Sequence, residues 1–286
     1  MNSDREAQRE KIEKFIRKMP SLSTTVGKVL EVCSRTDASP NELNKVISLD
    51  PVLTGQVLKL INSAYYSMVS KVTSLTRAIT MLGMNTVKNM ALSTAIIQSV
   101  AGSNKSKALP TVKFWAHSIG VGVSAKLLAT ASGVSIQERE EFFIAGMLHD
   151  LGKIPFGDEY IQALAIARQE QRPLVEVERE FFGIDHQEVG ALIGEKWMLK
   201  GFLASGISCH HAVDLAGDDD RARVAIISLA NMYVNIQDIG YAGDPFPEHE
   251  NTERLLELTG LDWSDLAAIS ETVENEIDKA QIFLQV

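Results

Sequence analysis

The sequence predicts an all-α protein. Three observations carry that expectation. Apolar residues recur at i, i+3, i+4 and i+7 nearly everywhere, as in Val26, Val29, Leu30 and Cys33. The alternating apolar–polar runs and paired turn signals of half-buried strands are missing. The eight prolines fall at element boundaries, and none interrupts a long periodic run.

Helices are expected at about 6–18, 23–34, 40–48, 51–62, 74–82, 85–100, 110–130, 137–149, 158–170, 174–182, 186–198, 201–211, 221–237, 250–259 and 263–283, with ends good to about two to four residues. The amino-terminal MNSDREAQREKIEKFIRKMP is polar and charged and has no apolar h-region, so it does not read as a secretory signal. Pro40 follows Ser39 and Pro51 follows Asp50, each a capping residue with proline at the first helical position. Gly83, in MLGMN, reads as a helix C-terminal stop. The stretch AGSNKSKALP (101–110) is small, polar and lysine-bearing, and reads as a linker between a unit at 1–105 and one at 106–286. Pro110, Pro155 and Pro173 mark further boundaries. The acidic run at 218–220 is expected as a solvated loop capping the next helix. The stretch 238–253, with Pro245 and Pro247, is expected as a surface excursion that carries His249 as a surface residue.

The chain has 286 residues, enough to bury roughly 75% of its unfolded surface without covalent staples. Hydrophobic residues at 45% and charged residues at 23% exclude disordered and collagen-like classes. Two cysteines, Cys33 and Cys209, cannot build a disulfide framework or a cysteine zinc site, which points to a reducing cytosol. A net charge of −9 argues against nucleic acid as a partner. No run approaches 18 uncharged apolar residues, so no membrane span is expected and the protein reads as soluble and cytoplasmic.

The chemistry sits on histidines. Five of the six lie between residues 117 and 211: His117, His149, His186, His210 and His211. Each falls on the apolar stripe of its own helix. His117 lies between Phe114 and Val121; His149 is seven after Phe142; His186 is three before Val189; Leu203 and Ile207 precede His210 and His211 at helical spacing. A single such histidine is most simply a satisfied core residue. Five are harder to satisfy separately, because each buried unmet polar group costs about 1–3 kcal/mol. One metal cluster satisfies them together, and Asp150 supplies a carboxylate that can bridge two ions. Neighbours on a helix differ by about 100°, so His210 and His211 are expected to face different ways, toward two metals or with one orienting the other. Cys209 reads as a small buried hydrophobe rather than a soft ligand. Asp185 and Glu188 read equally as acceptors for His186 or as helix-start acids. Trp115, Trp197 and Trp263 read as core or interface anchors.

The motif GMLHDLGK (146–153) resembles the signature of the HD superfamily of metal-dependent phosphohydrolases. The fuller resemblance is to the HDOD domain, a relative of the HD-GYP phosphodiesterases. It rests on DPVLTGQVLKLINSAYYS and VTSLTRAITMLGMNTVKNMAL in the first half, then FWAHSIGVG, FFIAGMLHDLGK, DHQEVGALIGEKWML and the CHH triplet, in the family's order over about residues 20–240. The resemblance implies an N-terminal helical subdomain packed on an HD-type helical subdomain. It implies a site of two divalent transition-metal ions (iron, zinc, nickel or manganese) on His117, His149, Asp150, His186, His210 and His211. In the family pattern an aspartate ends the ligand set; here the helix reads ISLANMY, and Val224 and Ile227 place Asn231 on its inward face. An amide is neutral and a weaker ligand. Lys153 matches a lysine placed to contact phosphate, and reads equally as a solvated helix-end residue. The GYP element is absent: AVDLAGDDD follows the paired histidines.

The resemblance implies a regulatory module that acts through a signalling protein or a small nucleotide-like ligand, with little or no catalysis. The alternative is a metal-dependent phosphohydrolase in which Asp150 and Lys153 serve the reaction. A third reading is a helical protein whose buried histidines hold no metal.

Overall fold

The structure is a computed structural model that describes residues 2–35, 37–101, 106–244 and 252–285. Among the described residues it is helical throughout, with no strand. The first five helices are α1 (Asn2–Lys18), α2 (Thr24–Cys33), α3 (Pro40–Ser48), α4 (Pro51–Ile61) and α5 (Leu75–Ala101). Capping chemistry starts three of them. Ser23 caps α2; Ser39 and Glu42 form a reciprocal capping box on α3; Asp50 accepts from Val52 and Leu53 at the head of α4. The helices expected at 74–82 and 85–100 meet at Gly83, whose φ of 83° breaks α5 where the sequence placed a stop.

The remaining elements follow as α6 (Thr111–Ala131), α7 (Ile136–Leu148), a 3-10 stretch (Leu151–Glu159), α8 (Tyr160–Glu170), α9 (Leu174–Phe182), α10 (His186–Lys196), α11 (Phe202–Cys209), a 3-10 turn (Val213–Leu215), α12 (Asp218–Ile236), α13 (Thr252–Thr259), α14 (Trp263–Ala268), α15 (Ser270–Ala280) and a last 3-10 turn (Gln281–Gln285). Two expectations change. The acids 218–220 are not a loop but the first turn of α12, where their charge meets the helix dipole. The helix expected at 263–283 is two helices and a 3-10 turn. The segment between His149 and residue 158, for which no helix was expected, is a 3-10 stretch. Trp115 and Trp197 are buried in the core, and Trp263 is 58% exposed. Residues 102–105 of the linker, and Pro245, Pro247 and His249 of the expected surface excursion, lie outside the described residues.

One apolar core runs from Ile12 to Phe283. Its axis is α6, buried on nearly every side and packed between α7, α12 and α15. Glycine sets the closest crossing. A Cβ on Gly122 would stand 2.6 Å from the Phe143 carbonyl oxygen, and one on Gly146 2.8 Å from that of Val121. Only hydrogens there let α6 and α7 approach, which draws together His117, five residues before Gly122, and His149, three after Gly146. α5 packs on α7, and α1 packs on α9 and α10, so residues from both halves of the chain surround the core. No described helix is long and apolar enough to cross a membrane.

Candidate metal centre

Five stretches deliver the cluster. His117 comes from α6. His149 and Asp150 directly follow the last residue of α7, and Asp150 heads the 3-10 stretch. The Lys153 N–H closes that turn on the Asp150 carbonyl at 2.9 Å, which places the Lys153 ammonium 2.8 Å from Asp150 Oδ2. His186 opens α10, with Asp185 as N-cap and Glu188 completing the capping box. His210 and His211 follow the end of α11, and Asn231 comes from α12. Two more glycines allow the assembly. A Cβ on Gly152 would lie 1.8 Å from the His186 carbonyl oxygen, and one on Gly190 2.5 Å from the Ile207 side chain. The turn after Asp150 therefore lies against the head of α10, and α10 against α11.

The rings converge. Centroid distances are 5.6 Å for His117–His149, 4.8 Å for His149–His210, 5.2 Å for His186–His210 and 4.4 Å for His210–His211. All are buried except His211, which is half-buried. The ligating atoms fall into two groups that share Asp150: Asp150 with His186, His210 and His211, and Asp150 with His117 and His149. Within each group every such atom lies within 4.8 Å of the others. Asp150 Oδ1 has His186 Nε2 at 3.4 Å and His210 Nε2 at 3.6 Å; its Oδ2 has His149 Nε2 at 3.2 Å and His117 Nε2 at 3.7 Å. One carboxylate thus turns one oxygen to each group. Of the two arrangements expected for His210 and His211, one metal each does not hold: both belong to the same group, with ring centroids 4.4 Å apart.

The outer ring nitrogens are pinned. His149 Nδ1 lies 2.7 Å from the Gly146 carbonyl oxygen, and His210 Nδ1 3.1 Å from that of Gly206. His186 Nδ1 lies 2.7 Å from Glu178 Oε2, which also accepts the His186 backbone N–H at 2.9 Å. Each ring then carries its proton outward and turns a lone pair on Nε2 inward. His186 Nε2 and His210 Nε2 are 3.1 Å apart. Two lone pairs at that distance repel unless a cation lies between them. Burial denies them a proton, holding His117, His186 and His210 down to about 3 and His211 well below its usual range. A metal cation fits: two nitrogen ligands of a tetrahedral zinc-sized ion stand about 3.3 Å apart.

The carboxylates and the lysine carry the site's formal charge. Burial would push Asp150 up, but the neighbouring His149, the Lys153 ammonium and its hydrogen bonds outweigh it and hold the acid well below the usual carboxylate range. Burial likewise opposes the charge of Lys153, and Asp150, Asp244 and Glu178 overcome it. Lys153 is therefore neither solvated nor free. It is a buried cation locked on Asp150. Asn231 Oδ1 lies 3.1 Å from His117 Nε2 and accepts from Asn235 Nδ2 at 3.1 Å. Asp185 and Glu188 serve the helix start, and Cys209 is buried outside both groups.

Sequence reasoning missed four residues around the cluster. Glu178 is fully buried and orients His186, and the Tyr160 hydroxyl donates to its other oxygen. Gln187 Oε1 accepts the His211 backbone N–H at 2.9 Å. Asp244 is buried within reach of Lys153's field. Glu178 carries a signal that could have found it, since it lies four after Leu174 and four before Phe182 on the apolar stripe of α9.

The sequence is 24% identical over 227 residues to an uncharacterized protein of Treponema pallidum (strain Nichols), covering 77% of this chain and 43% of that protein; the chain thus spans less than half the length of that curated relative. The fold matches the crystal structure of an HDOD domain protein of unknown function from Geobacter sulfurreducens at a TM-score of 0.76 and 23% identity, over 98% of this chain and 99% of the other. It matches a Shewanella amazonensis SB2B structure that carries a provisional phosphohydrolase name at 0.70 and 22%, over 96% and 98%. A structure from Marinobacter aquaeolei VT8 with a provisional signal-transduction name matches at 0.72 and 17%, over 99% of this chain and 66% of the other. The profile of the HDOD domain matches residues 19–213, the stretch that runs from the end of α1 through His210 and His211, and the chain therefore belongs to the HDOD domain family.

Proposed function

We propose that this protein is a regulatory HDOD module built around a dinuclear divalent-metal centre, with little or no catalysis. One observation carries the reading: Asp150 turns its two oxygens to two separate histidine groups. His186, His210 and His211 with Asp150 Oδ1 would hold one ion, and His117 and His149 with Asp150 Oδ2 the other. A bound ion of this kind supplies Lewis acidity toward water or a phosphoryl oxygen. The chain's own residues support binding more than turnover. Lys153, the candidate phosphate contact, is spent on Asp150. Asn231 adds no negative charge to the His117 group, which leaves that group with two imidazoles and half a shared carboxylate.

The second reading is a metal-dependent phosphohydrolase, favoured by the six retained side chains. Metal analysis and a phosphoester screen separate the two. Protein from cells grown with zinc, iron, manganese and nickel is expected to carry tightly bound metal, fully lost in His210→Ala. Binding is expected in two steps, with the weaker step tightened by Asn231→Asp. Generic phosphoesters and cyclic nucleotides are expected to turn over in neither the native protein nor His149→Ala. Robust turnover by the native protein that His149→Ala abolishes would establish the enzyme instead. Metal-free protein from every growth condition would end both.

A further inference from the structure

One cleft lies away from the histidines. It has a volume of about 690 Å³ and opens between α2, the middle of α5 and the α10–α11 turn. Its charge runs against the chain as a whole. On a protein of net charge −9, this cleft is lined by Lys28, Lys88, Lys196 and Lys200 against only Glu31 and Glu141. Glu141 is already committed, to Arg223 at 2.8 Å and Lys88 at 3.8 Å. Lys196 donates to the Arg17 carbonyl at 3.0 Å, which ties the turn to the end of α1. Lys28 and Lys200 are exposed and have no ion-pair partner among the described residues. Two exposed ammonium groups without ion-pair partners on one cleft give it a positive field that an anion would offset.

The rest of the lining specifies the anion further. Ser21, Ser23 and Thr24 bring the N-terminus of the ten-residue helix α2 to the rim, with its positive dipole end. Leu30, Leu199 and Leu203 give apolar wall, and Met198, 60% exposed, reaches across to Gly27. Hydroxyls, ammonium groups and a helix start suit phosphate oxygens; the apolar wall suits a carbon-rich body attached to them. A bare inorganic anion would leave that wall wet.

We propose that this cleft binds an organic phosphate of the nucleoside-phosphate class, held by Lys28 and Lys200 with its base or sugar against Leu30, Leu199 and Leu203. The site is distinct from the histidine cluster: Glu141 and Lys196 lie about 12–15 Å along α7 and α10 from His149 and His186. The proposal does not depend on the metal reading, because it concerns metal-free protein.

Calorimetric titration of the dialysed, metal-free full chain tests it, with ADP, inorganic pyrophosphate and adenosine as probes. ADP is expected to bind with one site per chain, pyrophosphate more weakly and adenosine weakest. Raising salt is expected to weaken ADP binding. The surface double variant Lys28→Gln/Lys200→Gln is expected to weaken it by about tenfold or more, since a hydrogen bond to a charged group is worth that factor, while its thermal midpoint stays unchanged. His149→Ala is expected to leave ADP affinity unchanged. No ADP binding up to millimolar concentration would overturn the proposal. So would adenosine binding as tightly as ADP, an unaffected lysine variant, or loss of ADP binding in His149→Ala alone, which would place the ligand on the histidines.

Discussion

Glu178 is a buried acid that serves one imidazole. Three donors, the Tyr160 hydroxyl and the His186 backbone and ring N–H groups, converge on its two oxygens and favour the carboxylate form. Burial opposes that form and pushes the group up to about 8 against the pull of Lys153, Tyr160 and the His186 backbone. Such outer partners set ring orientation, and their loss costs roughly 10–100-fold in metal affinity. Glu178→Gln, which can keep an oxygen on the His186 N–H groups but removes the carboxylate behind the ring and turns an NH2 to the Tyr160 hydroxyl, is expected to lose zinc affinity by that factor in a chelator-competition titration. An unchanged affinity would reduce Glu178 to packing. Asn231 is the opposite case, a position where charge is missing: Asn231→Asp is expected to tighten the His117 group's ion in the same titration, with the other ion barely affected.

At the scale of elements, glycines decide how near the site-bearing segments come. Gly152→Ala would drive a methyl into the His186 carbonyl and the Gly190 amide, both backbone, at 1.8 and 2.6 Å. Neither can move without separating the 3-10 stretch from α10, so the cost is expected to exceed the usual 1–3 kcal/mol of overpacking. Gly55 offers the control. It is exposed in the middle of α4, with nothing within 4 Å of a Cβ. Gly55→Ala is expected to stabilise by about 0.5–1 kcal/mol through helix propensity. Urea unfolding of the two variants checks both signs, and a small loss for Gly152→Ala would show that the turn and α10 separate freely.

For the molecule as a whole, the neutral buried histidines tie stability to pH. His117, His186 and His210 stay unprotonated in the fold down to about 3, whereas each takes a proton near 6.5 once unfolded. Their folded values are depressed, so acid favours the unfolded chain from about pH 6.5 downward. Glu178, pushed up to about 8, acts in the other direction, because between about 4.5 and 8 the fold binds the proton that the unfolded chain releases. His211, also held well below its usual range, adds to the histidine side, so acid wins between about 4.5 and 6.5. The thermal midpoint of metal-free protein is expected to fall steeply across that window, and a flat profile would contradict neutral, buried rings. A saturating divalent ion is expected to raise the midpoint at pH 7, since it binds the fold and not the open chain, by about 2.7 kcal/mol at a hundred times its dissociation constant.

Much of this was legible in the chain. Periodicity, Ser39–Pro40, Asp50–Pro51 and Gly83 mark elements because capping and backbone freedom act within a few residues, and local order is all such signals need. The five histidines were legible as inward-facing because each continues the apolar periodicity of its predicted helix, and Asp150 was legible as the carboxylate directly after His149. What the stripe cannot say is where inward leads. That His210 and His211 share a group, that Lys153 is buried on Asp150 rather than solvated, and that Glu178 stands behind His186 depend on contacts across 3 to 24 residues. The four lysines of the cleft, scattered from residue 28 to 200, carry no local pattern at all. Sequence alone determined which residues must be buried or capped, because those costs are local. Only the tertiary structure decided which buried groups meet, because pairing is set by how closely the glycines at 122, 146, 152 and 190 let the backbones approach.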